Sequence, residues 1–180
     1  AKIILFLGRI SWKKGLDTLI PAFAEVVKKE PEALLVIAGG DDEGYKKNIQ
    51  LLITNYQLQS KVIFTDMITG NDKIAAFQDS DVFVLPSYSE NFSMSTIEAM
   101  YFKLPVVITK YVGVAPEVEE YGAGIVTEKD TKEIAEAITN ILANEKLKIA
   151  MGETGNRLVK EKFEMSKIAD QWVKAYRSLP

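Results

Sequence analysis

The chain has no cysteine and no histidine. The first absence excludes a disulfide framework and a thiolate metal site. The second removes the commonest general base and the commonest metal ligand together. Long apolar runs are missing as well: none approaches the roughly 18 residues from which a membrane-spanning helix is read. There is no excess of positive charge, since 22 Lys and Arg stand against 25 Asp and Glu for a net charge of −3. A nucleic-acid footprint, which needs a basic surface, is therefore not expected. The first strand-like run, "KIILFLG" (2–8), begins directly after Ala1. A chain that opens so abruptly is expected to be part of a longer protein.

What is present is 180 residues, 47% hydrophobic and 26% charged, enough for one core and one domain. Apolar runs of strand length recur at "KIILFLG" (2–8), "ALLVIAG" (33–39), "KVIFT" (61–65), "DVFVLP" (81–86), "PVVIT" (105–109) and "GIVT" (124–127). They are rich in Val, Ile and Leu and do not alternate with polar residues, the pattern of strands covered on both faces in a parallel sheet. Segments of helical period lie between them. "GLDTLIPAFAEVVKKE" (15–30) puts Leu16, Leu19, Ile20, Phe23, Val26 and Val27 on one stripe. "DEGYKKNIQLLITNYQ" (42–57) and "NDKIAAFQD" (71–79) behave alike. "SMSTIEAMYF" (93–102) opens on serines suited to a helix cap, and "DTKEIAEAITNILANE" (130–145) opens on Asp130 and Glu133 in capping-box order. Two more helical stretches, near 146–161 and 166–178, close the chain. This alternation predicts a Rossmann-like, doubly wound parallel sheet of about six strands with helices on both faces and a helical C-terminal extension.

Ligands of such sheets sit beyond the carboxyl ends of the strands. Four segments meet that rim: "GRISWKKG" (8–15), "GGDDEG" (39–44), "PSYSENFSMS" (86–95) and "KYVGVAPE" (110–117). In the first, Arg9 and Lys14 stand between two glycines just before a helix. A helix N-terminus attracts anions, and the two cations add charge-assisted contacts, so a phosphate is one expectation and a solvated basic turn the other. The segment is not a Walker A loop, because Lys14 precedes the second glycine and no Ser or Thr follows it. "GGDDEG" lacks the spacing and the strand of a dinucleotide fingerprint and reads as a tight turn.

Glu90 and Glu98 are eight positions apart. Spacing alone is uninformative, since the 16 glutamates form other such pairs. Context sets this pair apart. Glu90 falls in the loop at a buried strand's carboxyl end and Glu98 in the helix that follows. The residues between are small and polar, so the backbone N–H groups of Ser93, Met94 and Ser95 can face a ligand. A carboxylate that accepts two hydroxyls suits a sugar diol. The bland alternative makes Glu90 an acid that complements the helix dipole and Glu98 a partly exposed helix residue.

Taken in order, "FLGRISWKKGLDTLIPAF", "VIAGGDDEGYKKNIQ", "VIFTDMI", "DVFVLPSYSENFSMSTIEAM", "LPVVIT" and "GVAPEVEEYGAGIVTE" resemble the C-terminal, donor-binding domain of retaining GT-B glycosyltransferases, in the large group 1 family with its E-x7-E motif. The resemblance covers nearly the whole chain, as one domain over residues 1–180. It implies that Arg9 and Lys14 hold the donor's diphosphate, that Glu98 bonds the ribose hydroxyls and that Glu90 contacts the transferred sugar. It places Asn91, Phe92, Ser93, Met94 and Ser95 in the loop whose amides approach sugar and phosphate. Gly8 belongs to the first strand's end, Gly39 and Gly40 to a donor-side turn, and Met67 and Ile68 to a backbone stretch that meets the base. The family often has glycine where this chain has Asn91, Ser93, Lys103 and Asp66.

The same resemblance implies a UDP-, GDP- or ADP-sugar as donor, and transfer of a hexose to an acceptor hydroxyl with retention. It implies no cofactor and no metal, the departing diphosphate being met by Arg9, Lys14 and helix N–H groups. A preceding acceptor domain is expected as the missing partner, without which the chain should not transfer sugar. The expected compartment is the cytoplasm, with peripheral membrane association through that absent domain. The rival functions are a GT-B-like nucleotide-sugar epimerase or phosphorylase and a non-catalytic nucleotide-sugar binding module. If the two carboxylates divide the donor in this way, removing Glu90 should spare nucleoside diphosphate affinity and weaken only the sugar-bearing donor.

Overall fold

The six apolar runs form strands β1 (Lys2–Leu7), β2 (Ala33–Ala38), β3 (Val62–Asp66), β4 (Val82–Leu85), β5 (Val106–Thr109) and β6 (Gly124–Thr127) in the computed structural model, which describes residues 1–41 and 43–164. All are parallel, in the order β3-β2-β1-β4-β5-β6. β4 and β5 are buried throughout, as expected for strands with helices on both faces. The order reverses between β1 and β4. Connections leave these two neighbours toward opposite edges, so a crevice opens between their carboxyl ends.

Helices α1 (Leu16–Lys29), α2 (Lys46–Asn55), α3 (Gly70–Gln78), α4 (Met94–Tyr101), α5 (Ala115–Tyr121), α6 (Thr131–Ala143) and α7 (Glu145–Leu158) connect and cover the strands, and a π-helical turn at Val159–Phe163 follows α7. On α1 the predicted stripe is buried through Leu16, Leu19, Ile20, Phe23 and Val26, and α6 packs beside it. Asp130 caps α6 by accepting the Lys132 and Glu133 N–H groups at 2.9 and 3.0 Å. The Glu133 side chain does not close the reciprocal box. It accepts instead from the Glu128 N–H at 2.9 Å.

Three expectations change. The helix predicted from residue 42 starts at Lys46, because Gly44 takes a positive φ of 72° and the Asp41 carboxylate captures the Tyr45 N–H at 2.8 Å. α5 was not foreseen, although Pro116 inside its first turn and Gly122 at its C-cap are ordinary boundary signals. The helix predicted near 166–178 lies outside the described residues, as does Asp42 in the second rim segment.

Three of the four positions where the resemblance expects glycine have a conformational meaning: Asp66, Ser93 and Lys103 take positive φ, at 55°, 59° and 61°, whereas Asn91 does not. A side chain in that region crowds its own backbone at about 1–2 kcal/mol. Lys103 follows the C-cap of α4, where glycine is the usual choice, and its ion pair with Glu153 is exposed on both sides and contributes little. Lys103→Gly is therefore expected to stabilise the domain by about 0.5–1 kcal/mol, the relief exceeding the added chain entropy. A urea midpoint that falls rather than rises would count against this.

Candidate functional site

The site is assembled at the β1/β4 reversal from two loops that hold each other. After β1 the chain runs beside the end of β2, with Gly8 N–H on Ala38 O at 2.9 Å and Ile10 N–H on Gly40 O at 2.8 Å. It then makes a short 3-10 turn, Trp12–Lys14, and enters α1 through Gly15. Gly15 has φ +73°, and a Cβ there would stand 1.9 Å from the Pro86 carbonyl oxygen. Only glycine lets the head of α1 reach the end of β4.

The loop after β4 is tied on both flanks. Tyr88 N–H donates to Lys13 O at 2.8 Å, and the Tyr88 hydroxyl donates to Asp17 at 2.6 Å. The Tyr88 ring lies under the Lys129 ammonium at 3.8 Å and against Trp12 edge to face. Burial, helped by the Asp17 carboxylate, pushes the nearby Tyr45 phenol above its usual pKa. On the other flank, Thr109 Oγ1 donates to Ser87 O at 2.6 Å and Glu90 N–H to Tyr111 O at 3.0 Å, while Glu90 O accepts from Gly113 N–H at 2.7 Å. Glu90 thus sits in an isolated parallel bridge to Val112. A loop that reads as irregular in sequence is a fixed platform.

Both carboxylates of the predicted pair are ion-paired. Glu90 meets the Lys14 ammonium and Glu98 meets Lys73 at 2.7 Å. All four side chains are partly buried, so these pairs are less screened than surface ones. Arg9 is exposed and, among the described residues, makes no hydrogen bond or ion pair. At the head of α4 the Ser93 hydroxyl accepts from Thr96 N–H at 3.3 Å and bonds the Thr96 hydroxyl at 2.7 Å. The N–H groups of Met94 and Ser95 meet no acceptor among the described residues and face outward from the helix end.

Two adjoining compartments result. One, of about 500 Å³, is lined by Arg9, Ser11, Lys13, Lys14, Glu43 and the 89–91 loop. The other, of about 470 Å³, is lined by Leu7, Gly8, Lys14, Lys73, Glu98 and residues 90–95. Lys14, Glu90 and Asn91 belong to both, so the Lys14–Glu90 pair is the partition. The larger cavity along α7 is walled by that helix and its continuation and shares no lining residue with these two.

The structure therefore gathers Gly8, Arg9, Lys14, Glu90, Asn91, Phe92, Ser93, Met94, Ser95 and Glu98 around one crevice. It does not bring Gly39, Gly40, Met67 or Ile68 into that lining. They form the rim beyond it, with Gly39 N–H on Asp66 O at 2.8 Å and Met67 77% exposed. Lys73 was missed. Nothing in "NDKIAAFQD" announces that a lysine on α3 will reach a glutamate on α4. The one Asp-x-Asp triplet, 79–81, lies at the opposite end of the sheet, where Asp81 accepts from Ile3 N–H at 2.7 Å and from Lys148 at 2.8 Å. It is a structural acid of the amino ends. Among the described residues no helix is long and apolar enough to cross a membrane.

Comparison with known proteins gives the family and the fold. The family model described as glycosyl transferases group 1 matches residues 1–158. An uncharacterized glycosyltransferase of Methanocaldococcus jannaschii is 28% identical over 179 residues, which is 98% of this chain and 45% of that protein. A sucrose-phosphate synthase of Thermosynechococcus elongatus superposes with a TM-score of 0.87 at 30% identity, over 98% of this chain and 45% of that one. HepE of Anabaena, solved with UDP-glucose, gives 0.86 at 26% identity over 98% and 49%. The chain spans about half the length of the curated relatives it matches.

Proposed function

The chain belongs to the group 1 glycosyl transferase family, and on that premise we propose that its β1/β4 crevice binds a nucleoside diphosphate sugar. The observation that carries the proposal is the convergence, at the sheet's reversal point, of Arg9, Lys14, Glu90, Glu98 and an open helix N-terminus. Arg9, Lys14 and the free N–H groups of Met94 and Ser95 supply positive potential for a diphosphate. Glu98 accepts the ribose hydroxyls, held in place by Lys73, and Glu90 accepts hydroxyls of the sugar. HepE, solved with UDP-glucose, makes a uridine diphosphate sugar the first donor to try.

In the longer protein the sugar passes to an acceptor hydroxyl with retention at the anomeric carbon. The bond from that carbon to the β-phosphate oxygen breaks, and the charge left on the diphosphate is met by Arg9, by the α4 N–H groups and by Lys14 once it has left Glu90. Such preorganisation needs no metal. The acceptor is bound by a domain outside this chain, so the chain alone holds the donor without transferring it.

Calorimetric titration with UDP, GDP and ADP and with their glucose esters tests the ligand class and the base together. Glu98→Ala is expected to weaken nucleotide and nucleotide sugar alike by about tenfold or more, since each loses the same charged hydrogen bonds to ribose. If none of these ligands bound the wild-type chain, the assignment of the crevice would fall.

A further inference from the structure

We propose that Glu90 makes the crevice discriminate between the sugar-bearing donor and the nucleoside diphosphate left after transfer, by competing for Lys14. This rests on the binding role given to the crevice above. In the ligand-free protein Lys14 is not waiting for phosphate. Its ammonium is held by Glu90, and the pair forms the partition between the two compartments. A diphosphate that takes Lys14 must separate the pair. Glu90 cannot follow, because its backbone is fixed by the bonds to Tyr111 O and from Gly113 N–H. It then stands as a partly buried carboxylate beside a new anion with its cation withdrawn.

The two ligands differ in what happens next. A nucleoside diphosphate leaves Glu90 unpaired, and like charges in a partly buried cleft repel. A nucleotide sugar brings hydroxyls that donate to the freed carboxylate and restore its partners. The exchange of Lys14 from Glu90 to phosphate is therefore more favourable when a sugar is attached. Glu90 does more than hold the sugar: it loosens the product. The earlier expectation that removing Glu90 spares nucleoside diphosphate affinity changes sign, because its removal sets Lys14 free.

The test is a double-mutant cycle read by calorimetry with UDP, GDP and ADP and their glucose esters on the wild type, Glu90→Gln, Lys14→Ala and the double variant. Glu90→Gln is expected to tighten the nucleoside diphosphate by about five- to tenfold, and to lower the ratio of sugar-ester to diphosphate affinity by about tenfold or more. In the Lys14→Ala background the same change should tighten the diphosphate less, by only the general gain of removing a negative charge. That term separates competition for Lys14 from the general gain of removing a negative charge. Should Glu90→Gln fail to fold, Glu90→Asp, which keeps the charge but shortens its reach to Lys14, carries the same expectation in smaller measure. A wild type that binds diphosphate, with Glu90→Gln unchanged or weaker, or with tightening that persists undiminished without Lys14, would overturn this inference and leave the donor site standing. No binding of any nucleotide to the wild type would overturn both.

Discussion

Arg9→Ala is expected to weaken nucleoside diphosphate binding by about ten- to a hundredfold and to leave the bare nucleoside nearly unaffected, because a charge-assisted contact is worth about 1.5–3 kcal/mol. Arg9 should be the more sensitive of the two cations. It is exposed and has no partner among the described residues, so its contact with phosphate displaces only water. Lys14 already holds Glu90, so the loss on Lys14→Ala is the difference between two ion pairs and is smaller, about three- to tenfold. Calorimetry with UDP, GDP or ADP, each against its nucleoside, reads the contrast directly. Equal losses for diphosphate and nucleoside would mean that neither side chain meets phosphate. A larger loss for Lys14 than for Arg9 would mean that the ion pair with Glu90 does not persist in solution.

Gly113→Ala is expected to cost about 3–5 kcal/mol of stability, the sum of overpacking and of two disturbed hydrogen bonds. A Cβ at this position would stand 1.8 Å from the Asn91 carbonyl oxygen and 3.3 Å from that of Glu90. Neither atom belongs to a flexible side chain, so the loop after β4 must move as a piece. The bonds from Glu90 N–H to Tyr111 O and from Gly113 N–H to Glu90 O go with it. Glu90 is then displaced from both the proposed sugar position and Lys14, so the preference for the sugar ester over the diphosphate should fall along with the melting point. Glu98 is on α4, outside this bridge, and the nucleoside contribution should survive. A variant with wild-type stability and an intact preference would show that the 110–113 segment does not position Glu90.

The sequence by itself determined the layer architecture and the address of the candidate site. Continuous Val, Ile and Leu runs call for strands with apolar cover, and the intervening period of 3.6 supplies it, so the six strands fall where their composition puts them, with the edge strand β3 leaving Ile63 46% exposed. Where strand and helix alternate, ligand-facing residues collect at strand carboxyl ends, which is why Arg9, Lys14, Glu90 and Glu98 could be named from local context and from a resemblance carried by several motifs in order. Even the non-glycine residues at Asp66, Ser93 and Lys103, read as departures from a glycine pattern, marked backbone positions that do take positive φ. What only the tertiary structure decided is how those residues are paired. The partner of Glu98 is Lys73, 25 positions away on another helix, and the partner of Glu90 is Lys14, 76 positions away. Such pairings depend on the packing of α3 against α4 and on the reach of one loop to the next, distances that no local pattern encodes. The same holds for Gly113, whose need for a bare Cα comes from the Asn91 carbonyl folded onto it and not from its own backbone angles. Local chemistry sets which groups are available; the close approach of chain segments remote in sequence sets which of them hold each other until a ligand arrives.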